Sequence, residues 1–203
     1  MDEIETIEDL ENLYGPAVPN AIKKETSFLT PDYRKWLEKS PFFAIASIGP
    51  DGLDCSPRGD PAGALITVLN DKQLLIPDRR GNNRLDTLKN IVFDPRISLL
   101  FMIPGINETL RIKGRAAIST NPGLIRLFDI DGKTPKSVIS VDIDAVYFQC
   151  ARALKRAGLW ESENLTSNQD VPTAGQMAQS AIPGFDGQAY DEELQARQKK
   201  TLY

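Results

Sequence analysis

Residues 76–90, IPDRRGNNRLDTLKN, predict a strand that turns into a helix. The apolar run before this segment breaks at Pro77, and apolar residues recur afterwards at helical spacing. Three arginines and two asparagines crowd the turn around Gly81. The N–H groups of a helix's first turn lack backbone partners, and the helix dipole adds positive potential there. We therefore interpret this junction as a phosphate-binding site.

The polar side chains of the junction are its candidate ligands. Asn82 or Asn83 can cap a helix that we predict over 82–93. The basic side chains that can reach an anion at the mouth of this helix are Arg79, Arg80 and Arg84. Arginine suits a phosphate because its planar fork donates two hydrogen bonds at once. The alternative is a solvated turn in which Asp78 and Asp86 pair with the arginines.

The segment 56–61, SPRGDP, is a second candidate site. Its two prolines fix the backbone, and Gly59 lets another group approach closely. Arg58 and Asp60 can then present a cation and a carboxylate to a polar ligand. The alternative is an ion pair between Arg58 and Asp60 across a tight bend.

Composition indicates a globular protein with one medium-sized domain. The 203 residues are 41% hydrophobic and 26% charged, and the net charge of −4 gives no general attraction to nucleic acid or anionic membranes. No apolar run approaches the roughly 18 to 20 residues of a membrane span. The acidic N-terminal sequence is unlike a signal peptide, so we expect a cytoplasmic protein.

The chain contains no histidine and only two cysteines, Cys55 and Cys150. Ser-His-Asp and Cys-His catalysis and histidine-ligated metal sites are therefore excluded, and we expect no metal. Chemistry near neutral pH must come from a perturbed Asp, Glu, Lys, Tyr or Cys, or from a cofactor.

The middle of the chain, residues 41–161, predicts six or seven strands joined mainly by hairpins. The predicted strands cover 42–48, 53–56, 64–69, 73–76, 96–103, 108–119 and 137–148. Regular β-α-β alternation is absent, which argues against a doubly wound parallel sheet. We predict an α+β fold, an antiparallel Greek-key or split β-barrel with short peripheral helices. We expect residues 1–40 to be a helical segment that packs on the barrel, and 162–203 to be a polar tail with short helices.

Four motifs in this order resemble the FMN-binding split-barrel superfamily of pyridoxamine 5'-phosphate oxidase, and more narrowly its PPOX-class FMN-dependent bacterial branch. They are SPRGDP at 56–61, IPDRRGNNRLDTLKNI at 76–91, PG-x-x-ETLR at 104–111 and C-x-x-A-x-x-R-x-x-LW at 150–160. The resemblance implies FMN as cofactor and a homodimer with FMN in the subunit interface. The substrate-binding Arg-x-His of the oxidase is absent, so oxidation of pyridoxamine phosphate is not implied.

Matching positions imply that Asn82, Asn83 and Arg84 hold the FMN phosphate, with Arg58 from the neighbouring strand. Pro77 and Asp78 would line the ribityl chain or ring edge. Thr109 and Trp160 would reach the cofactor from the partner chain. Together with the local interpretation, the candidate cofactor-binding residues are Arg58, Gly59, Asp60, Pro77, Asp78, Arg80, Asn82, Asn83, Arg84, Thr109 and Trp160.

The favoured hypothesis is an FMN-dependent oxidoreductase that acts on a small-molecule substrate or a nicotinamide electron donor, because flavin itself carries out hydride transfer. No catalytic side chain is assigned. One alternative is a non-catalytic flavin carrier or sensor. Another is a barrel that binds a different phosphorylated ligand or nucleic acid, although the acidic pI of about 5.0 argues against nucleic acid.

Overall fold

The computed structural model, which describes residues 3–166 and 170–201, contains a run of seven strands, interrupted by two helices and flanked by helices on both sides. The strands are β1 Phe42–Gly49, β2 Gly52–Gly59, β3 Thr67–Asn70, β4 Gln73–Pro77, β5 Arg96–Met102, β6 Thr109–Ser119 and β7 Val138–Gln149. The α-helices are α1 Ile7–Tyr14, α2 Pro19–Lys23, α3 Pro31–Lys39, α4 Asp86–Phe93, α5 Pro122–Arg126, α6 Arg152–Ala157, α7 Ala174–Ala181 and α8 Gly187–Thr201.

The strands form one sheet in the order β2-β1-β5-β6-β7-β4-β3, and every neighbouring pair is antiparallel. The predicted α+β fold with an antiparallel split barrel is therefore confirmed. Strand β2 extends to Gly59, beyond the predicted end at residue 56. It tolerates Pro57 because it is an edge strand, where a missing ladder donor faces no neighbour. Strand β3 begins at Thr67 rather than residue 64, because the chain first turns through a hydrogen bond from Ala64 N–H to Pro61 O.

The core lies between the inner faces of the strands. Phe43 and Phe101 are fully buried, with ring centroids 4.7 Å apart. Helix α3 covers the core with Leu37, and α4 covers it with Ile91. A bulge between β6 and β7 lets the strands bend, and it requires Gly114, since a Cβ there would lie 2.3 Å from Asp142 O.

The predicted terminal segments are helical but differ in burial. Helix α3 packs on the core through Leu37, whereas α1 has no buried residue. Helices α7 and α8 pack against each other through a close approach of Gly175 and Gly187. Residues 1–2, 167–169 and 202–203 of the predicted terminal segments lie outside the described residues. Within the described ranges, no helix is both long and apolar enough to cross a membrane.

Candidate functional site

Three chain segments enclose a cavity of about 1380 Å³ at one end of the barrel. The end of β2 contributes residues 56–59, the junction between β4 and α4 contributes 78–88, and the segment before β7 contributes 133–137. Of the candidate cofactor-binding residues, those that line this cavity are Arg58, Gly59, Asp78, Arg80, Asn82, Asn83 and Arg84. The two candidate sites of the sequence thus form one cavity.

Strand β2 turns a polar face toward this cavity. Arg58 is paired in register with Phe43, and residues paired in this way share a face of the sheet. Arg58 is half-buried, and burial lowers the pKa of its guanidinium, while the nearby charges of Asp78 and Asp54 oppose that shift. A cation at this position has lost part of its hydration, which strengthens its attraction for an anion.

Asp78 lies in the same cavity as the main acidic counterpart of Arg58. Burial raises the pKa of the Asp78 carboxyl, and the charges of Arg58 and Lys136 oppose the rise. The backbone N–H of Asp78 donates to Ser137 O at 3.0 Å, which ties the junction to the segment before β7. Asp78 therefore connects two of the segments that line the cavity.

The helix start in the junction differs from the prediction. Helix α4 begins at Asp86, not residue 82, and the predicted capping by Asn82 or Asn83 is wrong. The Asn82 side chain instead accepts a hydrogen bond from Arg84 N–H at 3.0 Å. Asn83 and Leu85 adopt left-handed backbone angles, with φ of 60° and 61°, so the chain cannot be helical there.

This start leaves the N-terminus of α4 without a side-chain cap. The cap position is Leu85, whose side chain cannot accept a hydrogen bond, and the first residues of α4 line the cavity. A left-handed non-glycine residue costs roughly 1–2 kcal/mol, and such strain concentrates at binding sites. The strained backbone therefore directs an uncapped helix N-terminus at the cavity.

Asp60 forms an ion pair with Arg79, and of the two only Arg79 lines the cavity. The Arg79 Nε donates to Asp60 Oδ2 at 2.7 Å, and Nη1 donates to Phe128 O at 2.8 Å. The side chains are 2% exposed for Asp60 and 16% for Arg79. Asp60 pairs with Arg79, and the two side chains join the end of β2 to the junction and to the residues after α5.

Arg84 is exposed at the cavity mouth. Its Nε donates to Asp86 Oδ2 at 2.7 Å, which raises the pKa of Arg84. This contact matches the alternative in which acidic residues pair with the arginines of the turn. Since 75% of the Arg84 side chain is exposed, the pair does not hold it away from a ligand.

The segment 133–137 was not among the candidates from the sequence. It follows a turn in which Asp131 and Gly132 have φ of 52° and 78°, the pattern of a type I′ turn. Lys133 and Lys136 bring two further cations to the cavity. The available signal was the Asp-Gly turn with lysines three residues apart, but only the tertiary fold brings them into the same cavity as Arg58.

The remaining candidates, Pro77, Thr109 and Trp160, do not line the cavity of this chain. Pro77 is buried at the end of β4. Thr109 is 4% exposed, and the Trp160 Nε1 donates to Ile106 O at 2.9 Å.

Register places Thr109 on the opposite face of the sheet from Arg58. Arg58 pairs with Phe43, Phe43 with Phe101, and Phe101 with Leu110, so these four share the inner face. Thr109 precedes Leu110 and therefore faces outward.

Comparison with known proteins agrees with this fold. The family model described as pyridoxamine 5'-phosphate oxidase matches residues 29–150. No curated protein matches the chain.

The solved structures that match this chain have low sequence identity. HupZ from Group A Streptococcus is 15% identical, covers 58% of this chain and 91% of its own, and has a TM-score of 0.48. General stress protein 26 from Bacillus anthracis is 13% identical, with coverages of 57% and 88% and a TM-score of 0.44. A protein related to general stress protein 26, of the pyridoxinephosphate oxidase family, from Clostridium acetobutylicum is also 13% identical, with coverages of 58% and 85% and a TM-score of 0.42. With TM-scores below 0.5, these likenesses support no inference about function.

The family model thus spans the whole barrel and more than half of the chain. The protein therefore belongs to the pyridoxamine 5'-phosphate oxidase family, whose members are generally flavin-binding split barrels.

Proposed function

We propose that the protein binds FMN in the cavity at the end of the barrel and acts as an FMN-dependent oxidoreductase. The observation that carries this proposal is the meeting of the half-buried Arg58 with the uncapped N-terminus of α4 in one cavity. Members of the family generally bind flavin, and the groups that line the cavity fit the phosphate of FMN.

The donor set fits a phosphate monoester. First-turn N–H groups and the helix dipole of α4 attract a dianion, and Arg58 can donate two hydrogen bonds at once. The further phosphate ligands that we propose are Asn82, Asn83 and Arg84, which line the same cavity. Arg80 lines the cavity as well and adds positive potential.

The remainder of the cavity suits the rest of the cofactor. Ligand pockets commonly have volumes of about 300–1,000 Å³, so a cavity of about 1380 Å³ accepts FMN with space to spare. We propose that Asp78, with Pro77 behind it, borders the ribityl chain or ring edge, and that Gly59 allows close approach. When bound, FMN would supply the hydride transfer, so the chain's residues need only bind it, orient it and exclude water. The absence of histidine is compatible with this division of roles.

We propose further that the working unit is a homodimer, as is common among related proteins. Neither Thr109 nor Trp160 lines the cavity of its own chain, and we propose from the resemblance that they contact FMN bound to a partner. The outer face of the sheet also carries a hollow of about 330 Å³ with a floor of small and apolar side chains. The residues around it are Ala44, Ala46, Cys55, Ser98, Leu100, Arg111 and Gln149.

The proposal is tested by titrating the dialysed protein with FMN and with riboflavin, which lacks the phosphate. We expect one FMN per chain and riboflavin binding weaker by about 100-fold, the loss of charge-assisted phosphate contacts. Equal affinity for the two flavins would contradict the phosphate assignment.

Anaerobic addition of NADH, NADPH or organic donors then separates an oxidoreductase from a carrier. If the protein is an oxidoreductase, at least one donor reduces the flavin, and the absorbance of oxidised flavin at about 450 nm falls. Flavin that binds tightly but stays oxidised with every donor would instead support the non-catalytic carrier or sensor.

A further inference from the structure

We propose that helix α1 of one chain docks in a hollow on the outer face of the sheet of a second copy, so that two chains exchange their N-terminal arms. The arm is residues 3–25, and the outer-face hollow is the cavity of about 330 Å³ described above. This inference rests on the homodimer of the proposed function and names a contact that holds the two copies together.

Helix α1 carries an apolar stripe that its own chain does not bury. Ile7, Leu10 and Tyr14 share one face of the helix, and their exposed fractions are 75%, 46% and 77%. No residue of α1 is buried. A helix of eight residues is marginal in water by itself, because most helical stability in proteins comes from packing an apolar face. The stripe therefore calls for a surface that a second molecule supplies.

The arm is rooted at the edge of β7. Thr26 exchanges two hydrogen bonds with Val146, from Thr26 N–H to Val146 O at 3.0 Å and from Val146 N–H to Thr26 O at 2.8 Å. The Tyr33 hydroxyl also donates to Lys24 O at 2.9 Å. On the far side of this root, α2 has no buried residue, and Gly15, with φ of 72°, ends α1. The arm therefore leaves the barrel at β7 and carries the apolar stripe at its far end.

The outer-face hollow has a floor that an apolar side chain can cover. Ala44 pairs in register with Leu100, and Ala46 pairs with Ser98, so the four residues are neighbours on one face of the sheet. All four are half-buried and line the hollow. Apolar surface that is removed from water stabilises a complex by about 25 cal/mol per Å². Filling this hollow with the stripe of α1 is therefore favourable for both surfaces.

The charges of the two surfaces are complementary. Residues 3–14 contain five acidic residues and no basic residue. Among the described residues that line the hollow, Arg111 is the one charged residue, and Lys113 follows on the same face of β6. The Arg111 Cζ and the Lys113 Nζ lie 5.5 Å and 5.6 Å from the ring centroid of Tyr147. Over residues 3–166 and 170–201, no carboxylate forms an ion pair with either cation. An acidic helix supplies the missing counter-charge.

A second copy is the partner because one chain presents both surfaces. The stripe and the hollow are each uncovered in a single chain, and in a two-fold dimer the arm of each copy covers the hollow of the other. The hollow also lies on the face of the sheet that carries Thr109, which the proposed homodimer turns toward the partner. Arm exchange is thus continuous with that proposed interface.

The first test is a disulfide between the arm and Cys55, an exposed cysteine that lines the hollow. The full-length double variant Leu10→Cys/Cys150→Ser places a thiol on the stripe and removes the second exposed thiol. With FMN present and a mild oxidant added, we expect a covalent dimer on a non-reducing gel. Peptide mass mapping should find position 10 joined to Cys55, because a disulfide forms only where the two Cα atoms come within about 7 Å.

Two control variants measure the background of this reaction. Asn12→Cys/Cys150→Ser places the thiol on the opposite side of α1 from the stripe. It should cross-link at least about tenfold more slowly, since that side faces away from the hollow. Cys150→Ser alone measures any disulfide between the Cys55 residues of two copies.

The second test measures the dimer without cysteine chemistry, by sedimentation equilibrium of FMN-loaded protein. Ile7→Ser/Tyr14→Ser should raise the dimer dissociation constant by about 100-fold, because two docked arms each lose two buried apolar side chains. Val92→Ser/Leu127→Ser removes exposed apolar side chains outside the arm and the hollow, and should stay within about twofold of the wild type.

Four outcomes would overturn the exchange. A disulfide between position 10 and Cys55 within one chain would show that the arm covers its own hollow. A ladder of larger covalent oligomers would contradict a closed dimer. Cross-linking of Leu10→Cys/Cys150→Ser at the rate of the Asn12→Cys control, or a wild type that is monomeric, would show that the stripe does not dock.

The FMN titration decides the proposed function separately. A wild type that binds FMN but fails the cross-linking test keeps the proposed flavin site and loses the arm exchange. A wild type that binds no FMN but gives the covalent dimer, measured without added flavin, loses the proposed function and keeps the arm exchange.

Discussion

Replacing Arg58 by alanine should weaken FMN binding more than replacing any other residue that we assign to the FMN phosphate. Arg58 is half-buried, lines the cavity and takes part in no ion pair among the described residues. Its Nη1 donates to the neighbouring Pro57 O at 2.9 Å, which leaves its other donors for an anion. A hydrogen bond to a charged group contributes about 1.5–3 kcal/mol. The expected loss of FMN affinity is therefore about 10- to 150-fold.

The assay is the quenching of flavin fluorescence on titration, with FMN and riboflavin as paired ligands. Because Arg58 is assigned to the phosphate, Arg58→Ala should leave riboflavin affinity unchanged. Arg34→Ala is a matched control, since Arg34 lies on α3 outside the cavity and pairs with Glu38 at 3.0 Å. Thermal unfolding of each variant verifies the fold. An Arg58→Ala protein that is folded and binds FMN within about twofold of the wild type would refute the reasoning.

Three further predictions concern the same cavity. Arg84→Ala should weaken FMN binding less than Arg58→Ala, because Arg84 is more exposed; a larger loss in the same titration would contradict this order. Asp60→Asn should destabilise the fold by about 3 kcal/mol, since it breaks the buried pair with Arg79, and should lower the melting temperature by roughly 6–12 °C; an unchanged melting curve would contradict it. Asp78→Asn should make the protein without FMN more stable in urea unfolding at neutral pH. The advantage should shrink as the pH falls, because the raised pKa lets wild-type Asp78 take up a proton while folded; an advantage independent of pH would contradict this.

Much of the fold could be predicted because hairpins and helix caps are local. Strand β1 alternates buried and half-buried residues along its whole length, and that period of two is visible in the sequence. Thr30 and Pro31 start α3 as predicted, with the Thr30 hydroxyl accepting from Tyr33 N–H at 3.2 Å. The order of the strands in the sheet is not local, since it pairs β1 with β5 and β4 with β7. The lack of β-α-β alternation predicted an antiparallel Greek-key or split barrel, and the family resemblance implied the split barrel.

The sequence was enough to locate the candidate site, but not to predict how its side chains are arranged and paired. The crowding of arginines and asparagines at 79–84 pointed to the cavity, yet the roles of the arginines depend on partners far along the chain. The sequence made Arg79 a candidate ligand, but in the fold its guanidinium donates to the Asp60 carboxylate and to Phe128 O. The start of α4 was placed four residues early, because helical spacing of apolar residues does not reveal that Asn83 and Leu85 are left-handed. Lys133 and Lys136 were missed, since their distance from 76–90 in sequence hides the fact that they line the same cavity.

A crystal structure of the protein with FMN would test the central claim most directly. We expect the phosphate at the N-terminus of α4, with a donated hydrogen bond from Arg58, and with Thr109 and Trp160 of a second copy against the flavin. A phosphate bound at Lys133 and Lys136 instead, or an FMN molecule outside this cavity, would contradict it.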